Sequence, residues 1–378
     1  MGRFELPPYP YDRLDPLKAV AATHEGGIVD LSVGTPFDAP PDFVTEALAA
    51  SNAERSYPPS IGTAAFREAA AGWLHRRLGA TVDPGTQVAA CIGTKEFVAS
   101  TPRYLKLRSP DRDTVLYPAV SYPSYAMGAQ LAGCRAVPVA VDEQWRIDLT
   151  TVSDQDAARA LCLWVNTPGN PAGGLDDLAS VAAWGRRHGV PVLSDECYVE
   201  FTWAGETPPG RAHPGRTILE HGTEGVVAVH SLSKRSNLAG VRAGFYAGDA
   251  DLVHWLREIR KHAGNMVPGP VQAAGVAAFG DDHHVDVQRE RYRDRLEYLA
   301  AVLIDLGHDV SLPNGAFYLW VAAADGDAWA LTESLAREGG MLVAPGEFYG
   351  LAAASHVRMA LVQPRQRLEL VASRLGVR

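Results

Sequence analysis

The stretch that decides the fold is Ser-Leu-Ser-Lys at residues 231–234, followed by Gly-Val-Arg-Ala-Gly at residues 240–244. Lys234 comes just after the apolar, strand-like run at residues 226–230. Because a charge is costly at a buried strand end, a lysine there loses its proton readily and becomes an amine nucleophile. Such an amine forms a Schiff base with an aldehyde cofactor. Ser231 and Arg242 supply a hydroxyl and a guanidinium that suit a phosphate group, which favours a cofactor site over an ordinary basic surface loop.

Two further strand ends carry matching chemistry. Asn-Thr-Pro-Gly-Asn-Pro-Ala-Gly at residues 166–173 follows a strand-like run, and another run ends on Asp195, with Tyr198 three residues later. A carboxylate at a strand end can pair with a protonated pyridine nitrogen, the partner that enzymes using pyridoxal phosphate need. Asn170 and Tyr198 can both donate to the ring oxygen of that cofactor. The sequence therefore predicts a pyridoxal 5′-phosphate site.

The ordered set Asn-Pro-x-Gly, Asp-x-x-Tyr, Ser-x-x-Lys and Gly-x-Arg-x-Gly resembles the aspartate aminotransferase superfamily, the class I/II pyridoxal phosphate enzymes of fold type I. The resemblance extends from Gly34 to Arg358. Within the superfamily, residues 231–240, 261–272 and 343–350 resemble the actinobacterial N-succinyldiaminopimelate aminotransferases. Many relatives have threonine where this chain has Ala172, but Asn170 is retained, so the ring-oxygen contact is still expected. The resemblance implies transfer of an amino group between an amino acid and a 2-oxo acid.

Composition limits the possible partners and the cellular location. The chain has 378 residues, which favours two domains, and its net charge of -9 argues against a nucleic-acid partner. No apolar run approaches membrane-spanning length, and the N-terminus lacks the apolar segment of a signal peptide. The four cysteines are scattered with no Cys-x-x-Cys pair, which indicates reduced core residues rather than disulfides or a metal site. We therefore expect a cytoplasmic enzyme that does not bind membranes.

Apolar runs alternate with amphipathic stretches through the middle of the chain. The pattern predicts strands at residues 87–92, 114–117, 136–140, 161–165, 190–194, 226–230 and 243–247. It predicts helices at residues 64–78, 95–105, 176–188 and 251–262. This alternation is typical of an α/β protein whose mostly parallel sheet is covered by helices on both faces. Ligands of such sheets bind beyond the carboxyl ends of the strands, where Gly93, Asp195 and Lys234 come.

After Pro268 the pattern changes to long helices at residues 272–278 and 284–306, followed by strand-like runs at residues 316–321 and 353–362. We therefore expect a large cofactor-binding domain at residues 42–268. Residues 1–41 and 269–378 are expected to form a smaller α+β domain. The resemblance to fold type I, rather than periodicity, implies that the N-terminal segment joins this discontinuous small domain.

Gly93-Thr94-Lys95 lies where a strand turns into a helix, which is a suitable place for an anion because backbone N–H groups point outward there. An ordinary strand–helix turn would look the same, but Ser231 and Arg242 favour phosphate binding. The resemblance assigns Gly93, Thr94 and Lys95 to the cofactor site. It also selects Tyr122 rather than Tyr125 to stack on the pyridine ring, although a core tyrosine fits the local sequence equally well.

Three more positions, Arg358, Gly34 and Tyr57, gain a role through the resemblance. Arg358 lies in a late apolar run, where an arginine is expensive unless it is paired, either with a substrate α-carboxylate or with an acidic side chain. Gly34 can offer its backbone N–H to the same carboxylate, and Asn170 also contacts the substrate. The resemblance implies that Tyr57 reaches the phosphate of a partner subunit. We therefore expect a homodimer with shared active sites, although an exposed loop tyrosine fits the local sequence too.

Other protein classes share parts of these patterns. A serine hydrolase with the Ser231-x-x-Lys234 pair needs Ser-Asp-Asn and Lys-Thr-Gly companions, which this chain lacks. A dinucleotide-binding oxidoreductase needs Gly-x-Gly-x-x-Gly after a strand, and no such run occurs. A transcription regulator with an aminotransferase-like domain would need an added basic segment, for which we expect no room before residue 30. Within the superfamily, transamination of aspartate or another amino acid and cleavage of a C–S bond stay open.

The catalytic roles follow from the same resemblance. Lys234 holds the cofactor as a Schiff base and then moves a proton between the substrate and the cofactor, Asp195 keeps the pyridine nitrogen protonated, and Tyr198 donates to the ring oxygen. The expected reaction pairs N-succinyl-LL-2,6-diaminopimelate with 2-oxoglutarate in lysine biosynthesis. The distal carboxylates of this amino donor require a further cation in the protein, for which Arg235 and Lys95 are candidates. A solvated or cofactor-related charge is the alternative for both.

Overall fold

The computed structural model describes residues 9–377. Its strands are β1 (Val29–Asp30), β2 (Val88–Cys91), β3 (Thr114–Pro118), β4 (Arg135–Val139), β5 (Ala160–Asn166), β6 (Val192–Asp195), β7 (Val226–Ser231), β8 (Gly244–Gly248), β9 (Tyr318–Ala322), β10 (Met341–Leu342), β11 (Ala344–Pro345) and β12 (His356–Ala360). Its α-helices are α1 (Asp15–Ala21), α2 (Asp42–Ala49), α3 (Ala64–Leu78), α4 (Thr94–Arg108), α5 (Ser124–Leu131), α6 (Asp154–Arg159), α7 (Leu178–His188), α8 (Leu232–Arg235), α9 (Ala250–His262), α10 (Gly269–Gly280), α11 (His283–Asp305), α12 (Ala328–Gly339) and α13 (Arg365–Arg374).

A seven-stranded sheet forms the core, with the strand order β2-β8-β7-β6-β5-β3-β4. The neighbours from β4 to β7 are parallel, whereas β8 runs antiparallel to both β7 and β2. Every residue of β5, β6 and β7 is buried, as expected for strands covered on both faces. Val192 and Leu193 belong to different apolar clusters because neighbouring side chains of a strand point to opposite faces. The predicted strands of this sheet and the α/β fold class are confirmed.

The topology brings several strand ends to one edge of the sheet. Since β2 and β7 are both antiparallel to β8, they point in the same direction, which is also the direction of β5 and β6. The carboxyl ends of these four strands therefore lie at one edge, and β8 begins at that edge. Gly93, Asp195 and Lys234 follow or end three of the strands, and Arg242 precedes β8. This is the edge at which ligands of such sheets bind.

Local sequence signals account for helix beginnings near this sheet. Thr63 precedes α3, and its side-chain oxygen accepts a hydrogen bond from the Phe66 N–H at 3.2 Å. Asp177 precedes α7 and accepts from the N–H groups of Ala179 and Ser180. These caps satisfy N–H groups that have no partner within the first turn of a helix. The helices then bury one side on the sheet, as Trp73 of α3 does.

The described chain forms two compact units. The larger unit contains residues 35–291 and 313–316, and the smaller unit contains residues 9–34, 292–312 and 317–377. The sequence alone predicts boundaries after residues 41 and 268. Helix α10 packs on α2 and α3, and the Gln272 side chain accepts from the Thr63 N–H at 2.6 Å. Because of this packing, residues 269–291 belong to the larger unit.

The smaller unit contains a three-stranded antiparallel sheet in the order β11-β12-β9 and the parallel pair β1-β10. Arg358 lies in the central strand β12, where it is paired in register with Ala344 on one side and Trp320 on the other. Helices α1 and α12 pack together in this unit. Within residues 9–377, no helix is both long enough and apolar enough to cross a membrane.

Candidate active site

Gly93 and Arg242 form a cradle for an anion in the larger unit. Gly93 has φ 72° and lies between β2 and α4, so the first N–H groups of α4 are presented just beyond it. A Cβ atom at position 93 would collide with the guanidinium of Arg242. Arg242 itself has φ 59°, and its Nη1 donates to the Ala239 carbonyl at 2.8 Å. The missing side chain at Gly93 thus allows a rigid cation to lie beside a helix N-terminus.

Ser231 ends β7, and Lys234 lies in the helical turn that follows it. Ser231 is the last residue of the strand and precedes α8, where its hydroxyl oxygen accepts from the Ser233 N–H at 3.0 Å. The Leu232 N–H donates to the Ala243 carbonyl at 3.1 Å, which ties α8 to the residue before β8. Lys234 is only partly buried, whereas its neighbours in α8 are buried. The amine is therefore carried by an anchored turn.

Asp195 ends β6 with a buried and strongly bound carboxylate. The Tyr125 hydroxyl donates to its Oδ2 at 2.9 Å, and the Cys197 N–H donates to its Oδ1 at 3.2 Å. Burial raises the pKa of Asp195, and the hydrogen bonds from Cys197 and Tyr125 oppose that rise. A cationic ring nitrogen placed beside the carboxylate would stabilise its ionised form further. The site suits a carboxylate that pairs with a pyridinium.

Tyr125 is a residue that the sequence interpretation passed over. It is almost fully buried in α5, with its hydroxyl on Asp195, whereas Tyr122 is partly buried and accepts a hydrogen bond from the Lys95 Nζ at 3.2 Å. The two tyrosines lie on either side of the start of α5, at Ser124. The sequence signal for Tyr125 is its spacing of about one helical turn from Tyr122. Stacking of Tyr122 on the cofactor stays a prediction.

The loop after β5 is tied to the end of β6 by asparagine side chains. The Asn166 Nδ2 donates to the Asp195 carbonyl at 2.9 Å, and its Oδ1 accepts from the Asn170 N–H at 2.8 Å. Asn170 and Tyr198 are both buried, at the loop and after β6 respectively. The structure thus brings Asn170 and Asp195 together through one shared neighbour.

Cys197 connects two of the predicted site residues. Its backbone N–H donates to Asp195, and its thiol donates to the Thr94 hydroxyl at 3.2 Å. Burial raises the pKa of the Cys197 thiol well above its usual range, so the group is a neutral donor at physiological pH. The turn that begins α4 and the carboxylate that ends β6 are therefore joined by one side chain.

Arg235 does not fit its predicted role at the distal end of the substrate. Its guanidinium is buried, lies 3.5 Å from the Glu200 carboxylate, and donates from Nη1 to the Ala278 carbonyl at 2.6 Å. It also lies over the Trp73 ring, 5.5 Å from the ring centroid. Because its charge is balanced inside the larger unit, Arg235 is a structural residue. Lys95 is exposed and stays a candidate.

Gly34 and Arg358 are associated within the smaller unit. Arg358 has only 1% of its surface exposed, and its Nη2 donates to the Ser32 carbonyl at 2.5 Å. Its guanidinium carbon lies 4.5 Å from the centroid of the Tyr318 ring. A Cβ atom at position 34 would collide with the Tyr318 hydroxyl, so glycine is needed there to keep this ring in place. In the larger unit, Tyr57 is 96% exposed.

The geometry at the sheet edge agrees with comparisons to known proteins. Residues 27–375 match the family described as Aminotransferase class I and II. The chain belongs to this family. The 4-dedimethylamino-4-oxo-anhydrotetracycline transaminase OxyQ of Streptomyces rimosus is 42% identical over 98% of this chain and 99% of its own length. The LL-diaminopimelate aminotransferase of Desulforudis audaxviator is 32% identical over 98% of this chain and 95% of its own.

A solved structure from Thermus thermophilus, described as a probable N-succinyldiaminopimelate aminotransferase, is 30% identical to this chain. The match covers 97% of this chain and 98% of that one, with a TM-score of 0.83. This aminotransferase uses pyridoxal 5′-phosphate, as its family does. The residues present fit that cofactor, since they offer an amine, a buried carboxylate and an anion cradle at one sheet edge.

Proposed function

We propose that this aminotransferase transfers the amino group between N-succinyl-LL-2,6-diaminopimelate and 2-oxoglutarate, as a succinyldiaminopimelate transaminase of lysine biosynthesis. The similarity of residues 231–240, 261–272 and 343–350 to that group of enzymes supports the substrate. The related structure from Thermus thermophilus supports it further. The observation that carries the reaction type is Lys234 on its anchored turn, at the same sheet edge as Asp195, which ends β6, and Arg242, which precedes β8.

Lys234, Asp195 and Tyr198 perform the chemistry in this proposal. When bound, pyridoxal phosphate supplies an electron sink for the electrons left at the substrate α-carbon. Lys234 would hold the cofactor covalently, and its amine, once released, would carry the proton that leaves the substrate α-carbon. Asp195 stays ionised and keeps the pyridine nitrogen protonated, which the hydrogen bond from Tyr125 assists. Tyr198 donates to the ring oxygen together with Asn170.

The remaining cofactor residues bind and orient. Gly93, Thr94 and Lys95 at the start of α4, with Ser231 and Arg242, hold the phosphate in this proposal. Tyr122 stacks on the ring. Tyr57 completes the phosphate site of a second subunit, for which its exposure leaves it available, so the active enzyme is a homodimer. The four free cysteines support a location in the cytoplasm.

Arg358 binds the α-carboxylate of the substrate through a bidentate pair, with help from the backbone of Gly34. An arginine suits this role because its flat guanidinium matches the two oxygens of a carboxylate. Since Arg235 is engaged by Glu200, Lys95 is the remaining candidate cation for the distal carboxylates, as the alternative to its role at the phosphate.

A panel of amino donors and 2-oxo acceptors tests the substrate. We expect kcat/KM for N-succinyl-LL-diaminopimelate with 2-oxoglutarate to exceed kcat/KM for aspartate, aromatic amino acids and unmodified LL-diaminopimelate by at least about tenfold, or about 1.4 kcal/mol in transition-state binding. Equal turnover of aspartate would indicate a general aminotransferase instead. The 42% identity to OxyQ favours a second candidate, amination of a ring ketone, so a polycyclic ketone acceptor belongs in the panel. Release of a thiol and pyruvate from cystathionine would indicate C–S bond cleavage.

A further inference from the structure

An N-terminal turn, Pro10–Leu14, is held on a second turn, Gly346–Tyr349, within the smaller unit. The hydroxyls of Tyr11 and Tyr349 are 2.8 Å apart and form a hydrogen bond. Arg13 forms an ion pair with Glu347, 2.5 Å apart. Leu14 is buried. These contacts fix the position of the Tyr11 side chain although it lies far from Tyr349 in the sequence.

Tyr349 connects this contact to the arginine of the smaller unit. Its ring centroid lies 4.8 Å from the guanidinium carbon of Arg358, and the Tyr318 ring lies at 4.5 Å. Aromatic rings over a guanidinium attract its charge and restrict its tilt. Burial raises the pKa of the Tyr349 hydroxyl well above its usual range, so it stays protonated and can hydrogen-bond to Tyr11. Tyr11 therefore acts on Arg358 through one intermediate ring.

We propose that Tyr11 and Tyr349 are paired positioning residues that set how tightly this enzyme holds the carboxylate of its substrates. The inference rests on the proposed function, in which Arg358 binds that carboxylate. A bidentate pair requires the guanidinium and the carboxylate to share a plane, and a small misorientation weakens both hydrogen bonds. The Tyr11 hydroxyl holds the Tyr349 ring, and the ring holds the plane of Arg358. Neither hydroxyl takes part in proton transfer.

The test uses Tyr11→Phe, Tyr349→Phe and the double variant, which keep both rings and remove only hydroxyls. Each single variant should raise KM for the amino acid and the 2-oxo acid about 3- to 10-fold, as expected for one lost hydrogen bond, with kcat within about twofold of the parent. The double variant should be no worse than the poorer single variant, because the two hydroxyls act as one unit. The dissociation constant of maleate, an unreactive dicarboxylate, should rise by the same factor in calorimetric titration.

Tyr298→Phe is the matched control. Tyr298 lies in the same unit with its ring centroid 3.7 Å from the guanidinium carbon of a different arginine, Arg365, so its hydroxyl should not affect KM or maleate binding. Unchanged KM and maleate affinity in Tyr11→Phe and Tyr349→Phe, or additive effects in the double variant, would overturn the proposal. Arg358→Gln distinguishes a failure of the proposed function from a failure of the tyrosine-pair proposal. If that variant keeps the parent KM, the carboxylate role of Arg358 fails, whereas a large rise with unaffected tyrosine variants rejects only the tyrosine pair.

Discussion

The two units of this chain position their polar groups in different ways. In the larger unit, Asp195, Ser231 and Lys234 lie at or just after the ends of parallel strands, so the backbone of one sheet fixes their relative positions. In the smaller unit, Arg358 lies inside strand β12. Ser32, Tyr318 and Tyr349, which contact it, come from three other segments of the chain.

This difference has consequences for what a substitution does. A group on a sheet edge is held by many backbone hydrogen bonds, so removing its side chain should remove its chemistry while leaving its neighbours in place. A group held by aromatic rings and a backbone carbonyl depends on packing, and its neighbours should move when one of them changes. We therefore expect losses of chemistry in the larger unit and losses of binding in the smaller one.

The largest expected effect is that of Lys234→Ala. Removing the amine should abolish the covalent attachment of the cofactor and reduce transamination to background, because no other group on the α8 turn replaces it. In the parent enzyme, borohydride reduction should fix the cofactor on the peptide that contains Lys234, as read by mass spectrometry. Lys95→Ala is the control, since it removes a lysine near the same edge and should keep the label at Lys234. A label on any other lysine of the parent would disprove the assignment.

Asp195→Asn and Tyr125→Phe should both lower kcat by less than Lys234→Ala does, and Asp195→Asn should lower it more than Tyr125→Phe. Loss of a buried charge partner costs about 3–5 kcal/mol, so Asp195→Asn should lower kcat by roughly two to four powers of ten. Tyr125→Phe removes only the hydroxyl that donates to Oδ2 at 2.9 Å, so its kcat should fall about 3- to 30-fold. Both variants should bind substrate with nearly unchanged KM. The half-reactions, followed by the absorbance of the cofactor, measure these rates.

Phe at position 125 is a suitable substitution because the ring packs with Trp164, 5.5 Å away between centroids, and that contact is kept. Tyr117→Phe, on the neighbouring strand β3, provides a comparison in which a tyrosine hydroxyl is removed elsewhere in the same unit. If Tyr125→Phe matched the parent in every half-reaction, the hydrogen bond to Asp195 would have no part in the chemistry.

The sequence predicted the sheet because its strands are apolar runs separated by helical stretches, and each of the seven runs became a strand. It also placed Gly93 and Arg242 in one cofactor site, and the structure shows them in contact. Strand ends made this possible, since a parallel sheet brings them to one edge whatever the intervening helices contain.

The sequence did not indicate how buried polar groups pair across the fold. Arg235, next to Lys234, is a candidate from the sequence for binding the distal end of the substrate. In the structure its charge is instead balanced by Glu200, which follows β6. The resemblance selects Tyr122 for stacking on the pyridine ring, and no local pattern shows that the Tyr125 hydroxyl turns towards Asp195. The contact of Tyr11 with Tyr349 joins opposite ends of the chain. Such pairs depend on tertiary packing rather than on periodicity.

Glu196, the residue after Asp195 in the larger unit, forms another buried polar pair, with His230. The Glu196 Oε1 accepts from the Ser194 hydroxyl at 2.9 Å and from the Ile218 N–H at 2.8 Å, and its Oε2 lies 3.4 Å from the His230 Nε2. Burial raises the pKa of Glu196 to about 8 and lowers the pKa of His230 to about 3. Both groups are therefore neutral near pH 7.

Glu196→Gln should have the smallest effect on turnover and a clear effect on stability. Since the pKa of Glu196 is raised in the folded state, its contribution to stability is complete below its unfolded value and is lost as pH rises through about 8, by roughly a few kcal/mol. Glutamine keeps the acceptor oxygen and cannot ionise. The parent should melt at a lower temperature at pH 9 than at pH 6, and the variant should lose at least half of that difference.

Glu220→Gln is the comparison for this pH dependence, because it removes an ion pair with Arg216 whose carboxylate behaves in the opposite way. The pKa of Glu220 is lowered in the folded state, so its contribution is present throughout this pH range and the variant should be destabilised at both pH values. If the melting temperature fell by the same amount between pH 6 and pH 9 in the parent and in Glu196→Gln, Glu196 would already be ionised in the folded protein at pH 6. The interior of the larger unit around Glu196 would then tolerate a buried charge.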